Sequence, residues 1–209
     1  MAAAQQPCSP LDFDHVFLKL LADMDGDIHR IRSGERSMLN AEKMIRYQTL
    51  IAAGAYFGSR AKELLALKWF DIIGKKETSV YQFKTSRNRK VYYAPSFIKL
   101  AERNYKLIDP VNVHHLVLHR RDNPMAPVAT RDFNENLKYY FERFGVETEN
   151  PSSHTLRKTF MMHAWHQLGG DERAYLTVGK MMGYASKEQV MDYLGHTQKQ
   201  IREAVLRFK

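Results

Sequence analysis

Cysteine is almost absent from this sequence, since Cys8 is the only one among 209 residues, and it lies in an amino-terminal leader that we expect to be frayed. An intrachain disulfide is therefore excluded, and the nine histidines have no partners at the spacing of a zinc site. Proteins without disulfides or structural metals are typical of the reducing cytoplasm. We therefore expect a cytoplasmic protein that is stabilised by its hydrophobic core alone.

Long hydrophobic runs are also missing. No apolar stretch approaches the roughly 18 residues that a transmembrane helix needs, although 44% of the residues are hydrophobic. The amino-terminal segment MAAAQQPCSP has neither the basic start nor the apolar stretch of a secretory signal. The sequence also lacks internal repeats, a glycine-rich phosphate-binding loop and a cluster of carboxylates. We expect no membrane partner and no cofactor, neither a bound nucleotide nor a metal.

Positive charge, by contrast, is in excess. Lysine and arginine number 32 against 23 aspartates and glutamates, which gives a formal net charge of +9. Such a charge favours polyanionic partners, either nucleic acid or an anionic membrane surface. The basic residues recur along the whole chain and do not gather in one tail, which argues against a simple charged tether.

Hydrophobic periodicity predicts a mainly helical protein. A first helix is expected over 11–22, started by Ser9-Pro10, and a second over 39–56, with a polar loop or loose helix between them. Further segments are predicted as follows: helices over 60–68, 96–106 and 130–144 (capped by Thr130), one from 153 to the Gly169-Gly170 pair, three short helices between 171 and 209, and a short strand over 115–118.

The hydrophobic pattern changes once from helical to strand-like periodicity, between residues 78 and 94. Residues 78–84 and 90–94 are rich in β-branched and aromatic side chains, and they flank a polar turn over 85–89. This pattern predicts a β-hairpin with a basic tip. The predicted fold class is α+β, predominantly helical, with one small antiparallel sheet.

Four segments carry residues that together suit phosphate chemistry. The segment GSRAKELLALKW places Arg60 at the start of a helix, and the hairpin FKTSRNRKVYY carries Lys84 beside its turn. In SSHTLRKTFMMHAW, His154 and Arg157 are one helical turn apart and share a face. In KMMGYASKEQVMDYLGHT, Tyr193 lies on a short helix after a glycine break.

In this order, the four segments resemble the boxes of the tyrosine recombinase (phage integrase) family, over most of the chain from about residue 42 to 194. Arg60 matches the family's first arginine and is followed three residues later by Glu63, which we interpret as a partner that orients an arginine. Lys84 matches the hairpin lysine. The remaining matches are the His-x-x-Arg pair, His154 and Arg157, and the nucleophile, Tyr193, nine residues after Tyr184.

Tyr184 departs from the family pattern, which has histidine or sometimes tryptophan after this glycine. A tyrosine hydroxyl can donate a hydrogen bond to a phosphate oxygen, but it cannot become cationic as imidazole can. The donor role survives as a hypothesis, one under which turnover can be reduced. Another register would place Leu194-Gly195-His196 on this box, but it leaves Val205 at the nucleophile position, and we reject it.

The resemblance implies site-specific DNA recombination, as in integrases and mobile elements. Arg60 and Arg157 would bind the non-bridging oxygens of a phosphodiester, and Tyr193, with His154 as its base, would form a 3′-phosphotyrosine link. Lys84 would protonate the leaving deoxyribose oxygen. The link conserves bond energy, so neither ATP nor metal is required. We interpret the other hairpin cations, Arg87, Arg89 and Lys90, as backbone contacts or solvated charges.

The resemblance also implies double-stranded DNA as partner and a homo-oligomer, a tetramer, on that DNA. Residues 1–37 are interpreted as a leader and first helix, a remnant of the linker to a DNA-clamping domain, and 38–195 as the catalytic domain. Residues 196–209 form an amphipathic helix that packs on its own domain or docks on a neighbouring subunit. Two alternatives stay open: a type IB topoisomerase-like enzyme, and a DNA-binding regulator that keeps the fold with weakened catalysis.

Overall fold

The structure, a computed structural model, describes residues 8–35, 38–83, 86–184 and 186–195. Within these residues the chain is mainly helical, with two strands that form one antiparallel sheet, so the predicted fold class is confirmed. The helices are α1 (Leu18–Arg30), α2 (Met38–Phe57), α3 (Ala61–Leu65), α4 (Trp69–Ile72), α5 (Pro95–Ile108), α6 (Thr130–Arg143), α7 (Ser153–Gln167), α8 (Glu172–Met182) and α9 (Lys187–Leu194), with π-helical turns at Phe13–Phe17 and Ile31–Glu35; the strands are β1 (Glu77–Gln82) and β2 (Arg87–Tyr92).

Helix α2 is central to the fold and is surrounded by α1, α5 and α7. Its residues from Met44 to Ala55 are almost all buried, so it packs on every side. A Cβ atom added at Gly54 would lie 2.7 Å from Cδ1 of Leu156. The backbones of α2 and α7 can therefore approach closely only because residue 54 has no side chain. This contact fixes α7, which carries His154 and Arg157, against the core.

The hairpin alternates between a buried and an exposed face. Val80 pairs with Arg89, and Tyr81 pairs with Asn88. Val80, Arg89 and Val91 are buried, whereas Tyr81 and Asn88 are exposed. Since successive residues of a strand point to opposite faces, this alternation gives the register and directs one face of β2 toward the helices.

A second, smaller hydrophobic cluster, separate from the main core, packs the carboxyl-terminal helices against one another. It joins α7, α8 and α9 through buried residues that include Met161, Val178, Met182 and Val190, and Tyr184 and Tyr193 pack against it. Helix α9, eight residues long, contacts α7 and α8. The position of Tyr193 therefore depends on this cluster.

The beginning of the chain differs from the prediction. The first helical turn starts at Phe13, and Asp12 caps it by accepting a hydrogen bond from the backbone of His15 at 2.8 Å, so the predicted start at Ser9-Pro10 is wrong. An aspartate carboxylate is itself a strong cap. The helix then continues to Arg30, because Met24 and Ile28 extend its buried face.

Three smaller expectations are also corrected. Thr130 is the first residue of α6 and not its cap, which is Ala129. The segment 115–118 contributes one isolated bridge, between Lys68 and Leu116, and no strand. Cys8, expected in a frayed leader, is buried with 8% of its surface exposed.

Buried residues from Leu11 to Ile31 belong to the same core cluster as those of α2. The division of the chain at residues 37 and 195 stays a prediction, and the predicted helix over 196–209 lies outside the described residues. None of the helices in the described part of the chain is both long and apolar enough to span a membrane.

Candidate active site

The turn after α2 places Arg60 at the start of α3. Gly58 has a φ of +64°, and an added Cβ would lie 2.6 Å from Phe160, so the turn requires glycine. Glu63 accepts hydrogen bonds from the backbone N of Arg60 at 2.9 Å and from its Nη1 at 3.0 Å. The carboxylate therefore fixes both ends of Arg60, as the sequence predicted for Glu63, while the arginine side chain remains 23% exposed.

The first turn of α7 places His154 and Arg157 on one face. Ser152 caps the helix, and its Oγ accepts a hydrogen bond from the backbone N of His154 at 3.3 Å. The Arg157 side chain is buried, with 1% of its surface exposed. Its Nη1 donates to the carbonyl of Gly58 at 2.5 Å and its Nη2 to that of Met182 at 3.5 Å. The helix face is therefore turned inward and is not a solvated surface.

Helices α8 and α9 bring two tyrosines to this arginine. Gly183 ends α8 in the left-handed conformation, and the Tyr184 ring that follows lies 5.4 Å from the Arg157 guanidinium carbon. The Tyr193 ring lies 6.0 Å from the same carbon and 5.9 Å from the Tyr184 ring. The Tyr193 hydroxyl is 2.8 Å from Nδ1 of His154. The structure thus gathers Arg60, His154, Arg157, Tyr184 and Tyr193 around one site.

Burial and charge set the protonation of this hydrogen-bonded pair. Burial raises the pKa of the Tyr193 phenol well above its usual range, and the charges of Arg157 and Arg60 oppose that shift. Burial also lowers the pKa of the His154 imidazole, as do the charges of Arg157, Arg60 and Lys158. At neutral pH the tyrosine is therefore protonated and the histidine is neutral, so Nδ1 of His154 can accept the phenolic proton.

Arg89 is a site component that the sequence interpretation assigned wrongly. The sequence predicts a contact to the DNA backbone or a solvated charge, yet the Arg89 side chain is buried, with 8% of its surface exposed. Its guanidinium donates to the carbonyls of Phe57 and Met181 and to the Oγ of Ser59, at 3.0 to 3.2 Å. The alternation of β2, in which Val91 is buried two residues later, is the signal that places Arg89 inside.

Lys158 was also missed by the sequence interpretation. Its Nζ donates a hydrogen bond of 2.8 Å to the carbonyl of Cys8 and lies 5.6 Å from the centre of the Tyr193 ring. No motif marks Lys158, because its position beside Tyr193 depends on how the amino-terminal segment packs on α7.

Lys84 lies outside the described residues, so its predicted place at the site stays a prediction. Exposed hairpin residues Arg87 and Lys90 fit the interpretation as solvated charges.

The charges at this site suit an anion. One buried carboxylate, Glu63, lies 3.0 Å from Arg60 and 3.8 Å from Arg89. Arg157 adds a third guanidinium, whose charge acts on Arg89. The Nε atoms of Arg89 and Arg157 are buried without an acceptor among the described residues. Among the same residues, no three His, Cys, Asp or Glu side chains are grouped as metal ligands. The arrangement joins a phenol, a neutral imidazole and guanidinium groups, which is a set suited to attack on a phosphate ester.

Residues 28–200 match the phage integrase family. The chain belongs to this family. The match spans Arg60 at the start of α3, the His-x-x-Arg pair of α7 and the tyrosine of α9. No curated protein matches the chain by sequence.

Solved structures of recombinases share the fold. The XerH site-specific recombinase, bound to its palindromic difH substrate, is 18% identical with a TM-score of 0.69, over 99% of this chain and 54% of that chain. A lambda integrase dimer bound to a core site is 16% identical with a TM-score of 0.60, over 93% and 62%. The catalytic domain of bacteriophage HP1 integrase is 18% identical with a TM-score of 0.51, over 96% and 95%. The chain therefore spans about half the length of XerH.

Proposed function

We propose that this chain is the catalytic domain of a site-specific DNA recombinase, which cuts and rejoins DNA strands through Tyr193. The observation that carries the proposal is the 2.8 Å contact between the Tyr193 hydroxyl and Nδ1 of His154, next to the Arg157 guanidinium. Family membership and the shared fold support it. The match to an isolated integrase catalytic domain along almost its whole length supports the domain assignment.

In this proposal, the Tyr193 oxygen attacks the phosphorus of a DNA phosphodiester while His154 takes the phenolic proton. The phosphorus–oxygen bond to the 5′ carbon's oxygen breaks, which leaves a 3′-phosphotyrosine and a 5′ oxygen that receives a proton from Lys84. Attack by a 5′-hydroxyl on the phosphotyrosine reverses these bond changes and rejoins a strand. No bond energy is lost, so the step needs neither ATP nor a metal ion.

The cationic residues stabilise the transition state. Arg60, which is partly exposed, and Arg157 place guanidinium charge where negative charge grows on the non-bridging oxygens. Tyr184 takes the position at which family members carry histidine or tryptophan, and its hydroxyl would donate to one of these oxygens. A planar guanidinium can bind two oxygens at once, which fixes the phosphate for in-line attack.

Double-stranded DNA is the proposed partner, with a homo-oligomer, a tetramer, assembled on it. The excess of positive charge supports a polyanionic partner, and XerH and lambda integrase were solved with DNA bound, the latter as a dimer. Cytoplasmic location and a role in the integration of a mobile element belong to the same proposal.

The test uses a library of nicked duplexes with randomised sequence. The nick lets the strand beyond the cleavage site diffuse away, so a covalent adduct accumulates. We expect DNA that stays attached to the protein in detergent and is released by protease, and sequencing that DNA gives the target. Binding without an adduct from any duplex would indicate a regulator, and plasmid relaxation without joining of two duplexes would indicate a topoisomerase.

A further inference from the structure

Arg89 is a buried arginine to which the proposed reaction assigns no step. It lies on β2 opposite Val80, on the strand face that points toward the helices, and is 8% exposed. Removing an arginine from water is costly unless its donors and its charge are matched. Its surroundings should therefore show what the residue does.

The guanidinium of Arg89 connects the ends of two helices. Nη1 donates to the carbonyl of Phe57, the last residue of α2, at 3.1 Å and to that of Met181, in the last turn of α8, at 3.0 Å. Nη2 donates to Phe57 at 3.2 Å and to the Oγ of Ser59 at 3.1 Å. Carbonyls in the last turn of a helix have no partner within the helix and carry its negative dipole end, so they are suitable acceptors for a buried cation.

Arg157 binds the next carbonyl along each of the same two helices. It donates to Gly58, directly after Phe57, and to Met182, directly after Met181. The two arginines therefore lie side by side between the carboxyl ends of α2 and α8. The first end leads within three residues to Arg60, and the second leads within three residues to Tyr184.

This arrangement holds two like charges in a buried place. Burial and the neighbouring charge of Arg157 together lower the pKa of Arg89 to about 10, against the opposing effect of the Glu63 carboxylate. A pKa near 10 leaves the group protonated at neutral pH. Burying a neutral side chain would cost less free energy, so the presence of a buried charge favours a role beyond packing.

We infer that Arg89 is a positioning residue of this site: by joining β2 to the carboxyl ends of α2 and α8, it sets Arg60 and Tyr184 in place relative to Arg157. The inference rests on the proposed function, and it concerns a residue outside the set that touches the DNA phosphate. A second hairpin residue acts at the same place, because Nε2 of Gln82 donates to the carbonyl of Met182 at 3.3 Å.

The test compares Arg89→Lys with Arg87→Lys. Both keep the charge and change a guanidinium to an ammonium on the same strand, but residue 87 is exposed. On the nicked duplex recovered above, single-turnover cleavage at saturating DNA should slow about tenfold to a hundredfold for Arg89→Lys, as expected when catalytic groups are misplaced. The Kd for the duplex should stay within threefold, and Arg87→Lys should keep its rate within threefold.

Ser59→Ala gives a second route that leaves every charge in place. It removes one acceptor of Arg89, so it should slow cleavage by a smaller factor than Arg89→Lys. The double variant should be no slower than Arg89→Lys alone, because both changes disrupt one interaction and their effects are then not additive. Additive losses, or a loss that appears in Kd instead of the cleavage rate, would overturn the inference.

Amide hydrogen exchange tests positioning without cleavage. Peptides that cover 57–60 and 181–184 should exchange about tenfold faster in Arg89→Lys, since lost contacts allow local opening, and should be unchanged in Arg87→Lys. Unchanged exchange in Arg89→Lys overturns the inference even if that variant cleaves slowly. An adduct that persists after Tyr193→Phe overturns the proposed function, and the exchange result then still decides the role of Arg89.

Discussion

The Nδ1 atom of His154 and the hydroxyl oxygen of Tyr193 lie 2.8 Å apart, although 39 residues separate them in the sequence. The two residues come from the first turn of α7 and the last turn of α9. Because burial raises the pKa of the tyrosine and lowers that of the histidine, the proton stays on the phenol at neutral pH. Under the proposed function, the site therefore holds its nucleophile in the protonated, unreactive form.

Tyr193→Phe should abolish the covalent protein–DNA adduct. The change removes the attacking oxygen and the hydrogen bond to His154 but keeps the ring, which packs against the α7–α8–α9 cluster. DNA affinity should therefore stay within about threefold. Detergent-resistant adduct on nicked duplexes, detected by gel electrophoresis before and after protease, measures the effect. An undiminished adduct in this variant contradicts the assignment of the nucleophile.

The cleavage rate should depend on the protonation of His154. Its pKa is below the usual 6.5, so the neutral form that accepts the phenolic proton persists to a lower pH than in a free histidine. The single-turnover rate should be level between pH 7 and 8 and should fall only below pH 6.5.

His154→Asn supplies the control for this pH dependence. Its side-chain oxygen can occupy the place of Nδ1 but does not titrate, so the variant should be slower and should lack the fall in acid. The free energy of unfolding should also decrease in acid. Because the pKa of His154 is lower in the folded chain, the unfolded chain takes up the proton first as the pH drops, so the contribution of His154 to stability decreases below pH 6.5. An unchanged acid limb in His154→Asn would assign the titration to another group.

Tyr184→Phe should slow cleavage by about fivefold to tenfold, because a neutral hydrogen bond to a phosphate oxygen contributes about 1 to 1.5 kcal/mol net. Tyr184→His should keep or raise the rate, since an imidazole can donate and can also become cationic. Single-turnover cleavage measures both variants. A rate equal to that of the parent in Tyr184→Phe would show that the ring, 5.4 Å from Arg157, only packs.

Two glycine-to-alanine changes should alter stability in opposite directions. At Gly54 the added methyl would lie 2.7 Å from Leu156, whereas at Gly26 nothing lies within 4 Å. Gly54→Ala should therefore destabilise the protein by about 1 to 3 kcal/mol through overpacking between α2 and α7. Gly26→Ala, inside α1, should stabilise it by about 0.5 to 1 kcal/mol. Urea unfolding measures both, and equal effects would contradict the close approach of the two helices.

DNA binding should weaken steeply with salt and should not need a divalent ion. Neutralising phosphates with lysine and arginine releases counterions, so the logarithm of the affinity falls linearly with that of the salt concentration, by about 0.9 per phosphate contacted. Fluorescence anisotropy over a salt series gives the slope. Adduct formation in EDTA should equal that in magnesium, and its loss in EDTA would point to a metal nuclease.

The sequence predicted best where a long periodic segment or a fixed spacing carried the information. The bounds of α2 and α7 were close to the prediction because their apolar faces are extended and their ends are marked by polar or glycine residues. The spacing between His154 and Arg157 also sufficed to place both on one face of α7, although the spacing alone did not show that this face is turned inward.

What the sequence did not reveal depends on contacts between distant segments. Arg89 lies beside two other cations at a hairpin, where solvated charge is the usual outcome. The alternation of β2 places it on the inward face, but its acceptors on α2 and α8 come from distant segments. Lys158 reaches the site together with Cys8, about 150 residues earlier in the chain. Contacts between such distant segments leave no pattern in the local sequence, so only the three-dimensional structure reveals them.

The helix ends beside Arg89 and Arg157 have a consequence for how the site meets its substrate. Many phosphate sites use the amino end of a helix and so attract the anion with backbone N–H groups. Here the carboxyl ends of α2 and α8 hold the cations instead. The mutual repulsion of the guanidinium groups is thereby offset within the folded chain itself. Under the proposed function, these cations would already be held in place when DNA binds, so less binding free energy would go into ordering them and more would remain for the transition state.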